Sequence, residues 1–176
     1  MIHNSDHLIE IFNGLFATTH NTLLVCGGNE PVYRPAETGV EPARIEFAYG
    51  YYSSALHEIA HWCLAGERRR KLVDYGYWYH EDGRPAELQA EFEKVEIKPQ
   101  ALEWVFSAAA GSSFRVSLDN LDGTPHDEAR FRGNLVRQAR EFAAGGLPER
   151  GELFMRALLE SYSRDMSQDY FSLDQL

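Results

Sequence analysis

Apolar residues recur along the chain in two rhythms, and the change from one to the other predicts its elements. Leu8, Ile9, Ile11, Phe12 and Phe16 follow Ser5 at helical intervals, which predicts an amphipathic helix with Ser5 as its N-cap. Residues 22–26, TLLVC, make a short apolar run that stops at Gly27-Gly28 and predicts a strand. The stretch NEPVYRPAETGVEPA, held by three prolines, predicts a loop. RIEFAYG, residues 44–50, alternates and predicts a second strand. A helix then follows through SALHEIAHWCLAG, with Ser53 or Ser54 as cap and Gly66 near its end.

Beyond it, DYGYWY (residues 74–79) is aromatic-rich and predicted extended, closing in the turn EDGR. From residue 86 to 110, Phe92, Val95, Leu102, Val105, Phe106 and Ala109 recur every three or four positions, with a kink or break expected at Pro99. Two further helices are expected, at about 127–143 before Gly145-Gly146 and from Pro148 to about Tyr162. Residues 164–176 are polar and expected to be loosely attached. The pattern as a whole is that of an α+β chain, mostly helical with a small sheet, forming a single domain over residues 1–176.

Composition narrows the possible functions. The chain has 176 residues, 44% hydrophobic and 25% charged, and a formal net charge of −10. That balance suits a globular domain and argues against wholesale nucleic-acid binding. Two cysteines, Cys26 and Cys63, form neither a disulfide framework nor a CxxC pair, which points to a reducing compartment. The start, MIHNSDHLIEIF, lacks the features of a signal peptide, and no stretch reaches the roughly 18 apolar residues of a membrane span. The expectation is a cytoplasmic protein.

HEIAH, from His57 to His61, carries the candidate chemistry. Residues four apart share a helix face, so His57 and His61 can offer nitrogens to one ion. Glu58 points about 100° away; it sits beside the ion as a base or an acceptor rather than as a ligand. The surrounding helix is apolar nearly all round. Two histidines and a glutamate buried there without partners would be costly, and a metal satisfies them. A third ligand is expected from FEKVEIKPQALEW, where Glu96 falls beside the stripe of Phe92, Val95 and Leu102 and faces inward, whereas Glu93 and Glu103 fall further away. The competing reading of Glu96 is an ion pair with Lys98 or an arginine.

Three other groups carry two readings each or stand without companions. Tyr51, Tyr52, Asp74, Tyr75, Tyr77, Trp78 and Tyr79 can line a channel for a long cationic side chain, or serve packing and edge-strand propensity. ERRRK, residues 67–71, reads first as cations at a helix C-terminus and second as a docking patch for an acidic partner. His80 and His126 fall near turns; His3, His7 and His20 have no companions in sequence.

With HEIAHW, DYGYWY and VEIKPQALEW in view, the chain resembles the bacterial elongation factor P hydroxylase family. The resemblance runs from the N-terminal helix to PER at residues 148–150, strongest in FAYGYYSSALHEIAHWCLAG, LVDYGYWYHEDGR and FEKVEIKPQALEW. It implies a non-haem iron enzyme with a zincin-type, peptidase-like HExxH helix. Its substrate would be a lysine of elongation factor P already β-lysylated, with molecular oxygen as co-substrate. His57 and His61 match the histidine ligands, Glu58 the intervening glutamate, and Glu96 the remaining ligand of Fe(II). The motif alone fits a cytosolic zinc peptidase equally well, with Glu58 as general base. A third alternative is a non-enzymatic module that binds the translation factor around a structural metal.

Overall fold

The computed structural model describes residues 3–37, 39–76, 86–117, 128–166 and 170–176, with backbone alone for 86–90. Helix α1 (Ser5–Phe16) buries Leu8, Phe12 and Phe16, one stripe at four-residue spacing. Its cap is Asn4 rather than Ser5: the Asn4 side-chain oxygen accepts the Asp6 N–H at 2.8 Å.

Strand β1 (Thr22–Cys26) lies parallel to β3 (Ala43–Phe47), and β2 (Val32–Arg34) pairs antiparallel on the other side of β3. β2 falls within the segment expected to be loop. Three residues between Pro31 and Pro35 carry too little period to read, and pairing of Tyr33 with Ile45 decides their conformation. The free edge of β1 is closed by Asn13, which donates to the Leu24 carbonyl at 3.2 Å and accepts the Leu24 N–H at 2.8 Å.

β3 ends at Phe47, earlier than its alternation suggests, because residues 48–50 form a 3-10 turn with Tyr49 and Gly50 at positive φ. That turn aims the chain into α2 (Tyr52–Leu64). Ser54 does not cap this helix; its hydroxyl accepts the Ala48 N–H at 3.0 Å and ties the turn to the first helical residues. α2 buries Ala55, Leu56, Ile59, Ala60, Trp62 and Cys63. It packs on β3 and on α3 (Ala86–Ala110).

α3 is the central element. It runs through Pro99 unbroken, and every residue from 99 to 110 is buried. Helices α4 (Glu128–Glu141) and α5 (Glu149–Ser161) flank it. Among the described residues, no helix is long and apolar enough to cross a membrane.

The final residues are held rather than loose. Phe171 is fully buried and meets Trp104 edge-on at 4.9 Å. Its carbonyl accepts from Arg140 Nε at 2.7 Å, and the Leu176 carbonyl accepts from Arg132 Nη1 at 3.1 Å. One aromatic residue in a polar stretch is enough to anchor it once a pocket exists. Phe171→Ala should therefore cost about 3–5 kcal/mol in urea unfolding, while Tyr170→Ala, at an exposed neighbour, should stay within about 0.5 kcal/mol. Equal small effects would show that the tail lies outside the cooperative core.

Candidate metal centre

The contact between α2 and α3 brings three ligand atoms together. His57 Nε2 and His61 Nε2 face each other at 3.1 Å. Glu96 of α3 lies with Oε1 3.3 Å from His61 Nε2 and Oε2 3.5 Å from His57 Nε2. Donors about 2.1 Å from one ion stand roughly 3.0 Å apart at right angles and roughly 3.4 Å apart in a tetrahedron. The Nε2–Nε2 separation of 3.1 Å and the His61 Nε2–Glu96 Oε1 separation of 3.3 Å fall in that range, so the donor set fits a divalent metal. His57, His61 and Glu96 are also a His/His/carboxylate group with all donor atoms within 4.8 Å of one another.

Glu103 holds the other side of His57. Its Oε2 accepts from Nδ1–H at 2.8 Å, which leaves the Nε2 lone pair of the neutral ring pointing at the Glu96 side. Glu103 is buried, although its angle from the apolar stripe placed it further out. The stripe argument fails because this part of α3 has no outer face. Glu96, Gln100 and Glu103 follow at four and three residues, so all three share one side of the helix. That spacing is the signal in the sequence that marks Glu103. Gln100 hydrogen-bonds Glu96, and its amide also pairs with both Ser117 backbone groups, donating to the carbonyl at 2.7 Å and accepting the N–H at 3.1 Å.

Electrostatics of the donor group follow from this geometry. Burial opposes charge on His57, but the hydrogen bond and charge of Glu103, then Glu96 and Glu58, outweigh it and raise the ring to about 10. Burial likewise pushes Glu96 up, but His61, His57 and Gln100 outweigh it and bring the carboxyl to about 2. Burial raises Glu58 and Glu103.

The other expected site residues divide by location. Tyr75 is buried, its ring parallel to His61 at 6.3 Å and stacked on Tyr33 at 4.3 Å. Asp74 and Tyr75 adopt positive φ in a 3-10 turn rather than the extended form expected. Such backbone costs on the order of 1–3 kcal/mol per residue. It is held by Asp74 Oδ1 accepting the Tyr33 N–H at 2.8 Å and by Arg69 donating to the Tyr75 carbonyl at 3.0 Å. Tyr51 is exposed at the start of α2. Tyr52 donates to the Tyr162 hydroxyl at 3.1 Å and packs on His3, engaged away from the histidines. Tyr77, Trp78, Tyr79, His80 and His126 lie outside the described residues.

The basic run serves the end of α2. Arg70 donates to the Ala65 carbonyl, and Arg150 donates to Cys63 O at 3.1 Å and Ala65 O at 2.7 Å. Lys71 pairs with Glu67 at 3.0 Å.

Fold and donor set together define an α+β protein with a His–His–carboxylate group suited to a divalent metal. A family model described as Elongation factor P hydroxylase matches residues 11–171. The chain is also 51% identical over 165 residues to the Elongation factor P lysine hydroxylase of Haemophilus influenzae, an alignment spanning 94% of this chain and 93% of that protein. The chain belongs to the elongation factor P hydroxylase family.

Two measurements test this centre. Because His57 is protonated at neutral pH when no metal is bound, binding a divalent ion there should release about one proton, and apparent affinity should rise about tenfold per pH unit below pH 10. Calorimetry in buffers of different ionisation enthalpy reads the proton directly. Glu103→Ala should weaken metal binding about 10–100-fold in chelator competition, and Glu103→Gln, which keeps an acceptor for Nδ1–H, should lose less.

Proposed function

We propose that the protein hydroxylates the β-lysylated lysine of elongation factor P, with Fe(II) as metal and molecular oxygen as co-substrate. Membership of the hydroxylase family carries the reaction, and the grouping of His57, His61 and Glu96 supports a 2-His-1-carboxylate site for the iron. α2 is then a zincin-type HExxH helix put to oxidative use. The two free cysteines, one exposed and one buried, suit action in the cytoplasm.

Iron supplies the activation of oxygen; the chain supplies geometry and a dry boundary. His57 and His61 would hold the metal through Nε2, and Glu96 would contribute a carboxylate that offsets one of its two charges. Glu103 keeps the proton on His57 Nδ1, so that Nε2 remains a donor. His61, Glu96 and Glu103 are themselves buried, which keeps bulk water from that side of the group. Tyr75 lies with its ring parallel to His61, and the negative charge of Asp74 reaches Glu58, which suits a cationic side chain.

Mass spectrometry of β-lysylated elongation factor P incubated with iron-loaded protein and oxygen should show the gain of one oxygen atom. His61→Ala should abolish that gain together with bound metal. Fragments without added oxygen would instead establish a zinc peptidase with Glu58 as base. Equal oxidation of the unlysylated factor would remove the β-lysyl group from the substrate definition.

A further inference from the structure

We propose that Tyr49 and Tyr51 form a docking surface for the body of the protein substrate, and seat the lysine-bearing loop of elongation factor P at the head of the histidine helix. The inference rests on the hydroxylase reading above and deepens it by saying where the factor is held.

Both tyrosines stand where local stability argues against them. Tyr49 is 60% exposed with φ 51° and ψ 13°, a left-handed conformation that strains a bulky residue and suits glycine or asparagine. Tyr51, 62% exposed, is the N-cap of α2 and makes no side-chain capping bond, although serine or aspartate there would satisfy a free N–H. The turn is nevertheless held firmly. The Tyr49 N–H donates to the Gly28 carbonyl at 3.0 Å, the Tyr51 N–H to the Ala48 carbonyl at 3.1 Å, and the Ser54 hydroxyl accepts the Ala48 N–H at 3.0 Å. The two ring centroids lie 5.6 Å apart, with the planes tilted by 39°. Two large rings are thus fixed side by side in the open, at positions where they stabilise neither the turn nor the helix. Local rules broken on a firmly held surface mark a functional site.

Their place selects the occupant. Residues 51, 54, 57 and 58 make a partly open strip along α2, while 55, 56, 59 and 60 are buried. Tyr51 heads this strip, and His57 follows six residues on, about 9 Å along the axis. A lysine that reaches the histidines has only a four-carbon stem between its reacting end and its own backbone. The loop that bears it therefore rests on the surface around them. Tyrosine suits such a contact, because its ring face accepts apolar and cationic side chains and its hydroxyl reaches backbone groups, at little cost in side-chain freedom. The net charge of −10 favours a basic partner surface.

The test compares two probes on the zinc-loaded protein by calorimetry: lysylated elongation factor P, and a short peptide carrying the lysylated lysine alone. The double variant Tyr49→Gly, Tyr51→Ser should keep its metal content and hold or raise its melting temperature, because glycine accepts positive φ and serine caps a helix. It should bind the factor about tenfold more weakly, or worse, and bind the peptide as wild type does. A fall in melting temperature would show that the rings serve the fold and would overturn the proposal. Unchanged affinity for the factor overturns it too, and so does an equal loss for both probes, which places the rings in the pocket of the lysyl arm. A wild-type dimer that the double variant dissolves would assign the surface to a second copy of the chain instead. A wild type that binds the factor through these rings yet adds no oxygen in its iron-loaded form sinks the hydroxylase reading and leaves the docking surface standing.

Discussion

The packing of α2 on α3 is the constraint on which the rest depends. It forces two histidines and two glutamates into a region where unpaired charge is costly. The groups answer by pairing with one another: Glu103 with His57 Nδ1, Glu96 with both Nε2 atoms. What remains is a triangle of donor atoms about one ion wide. Burial thus makes the site specific, because each carboxylate has one geometry that relieves it.

Supporting elements exist to hold that contact. The parallel pair β1–β3 backs α2, and Asn13 seals the outer edge of β1. At the other edge, Asp74 takes the free N–H of Tyr33 and so closes β2 with the residue that begins the wall of the site. Backbone strain at Asp74 and Tyr75 is offset by these bonds and by the Tyr33 stack. One turn therefore serves both the sheet edge and the candidate metal centre. Arg70 and Arg150 do similar work at the end of α2, where they satisfy carbonyls that the helix cannot.

Much of the fold was legible locally. The helical stripe of α1, the run TLLVC and the HEIAH helix each carry their own period, and the observed α1, β1 and α2 follow it closely. Errors gathered where a neighbour decides. β2 is too short to have a period, and its pairing with β3 makes it a strand. Pro99 removes one backbone donor, yet dense packing on all sides keeps α3 continuous. Phe171 carries no period that marks it as core until Trp104 supplies its pocket.

The candidate site divides in the same way. Sequence alone determined the pair His57 and His61, because four-residue spacing on a helix places two rings together whatever surrounds them. It also pointed to Glu96 through its place beside an apolar stripe. Only tertiary structure decided that Glu103 reaches His57, that Tyr75 lies parallel to His61 while Tyr52 pairs with Tyr162, and that the basic run closes a helix end. The reason is physical: spacing along one helix is fixed by its own hydrogen bonds, whereas distances between helices are set by packing of residues far apart in the chain.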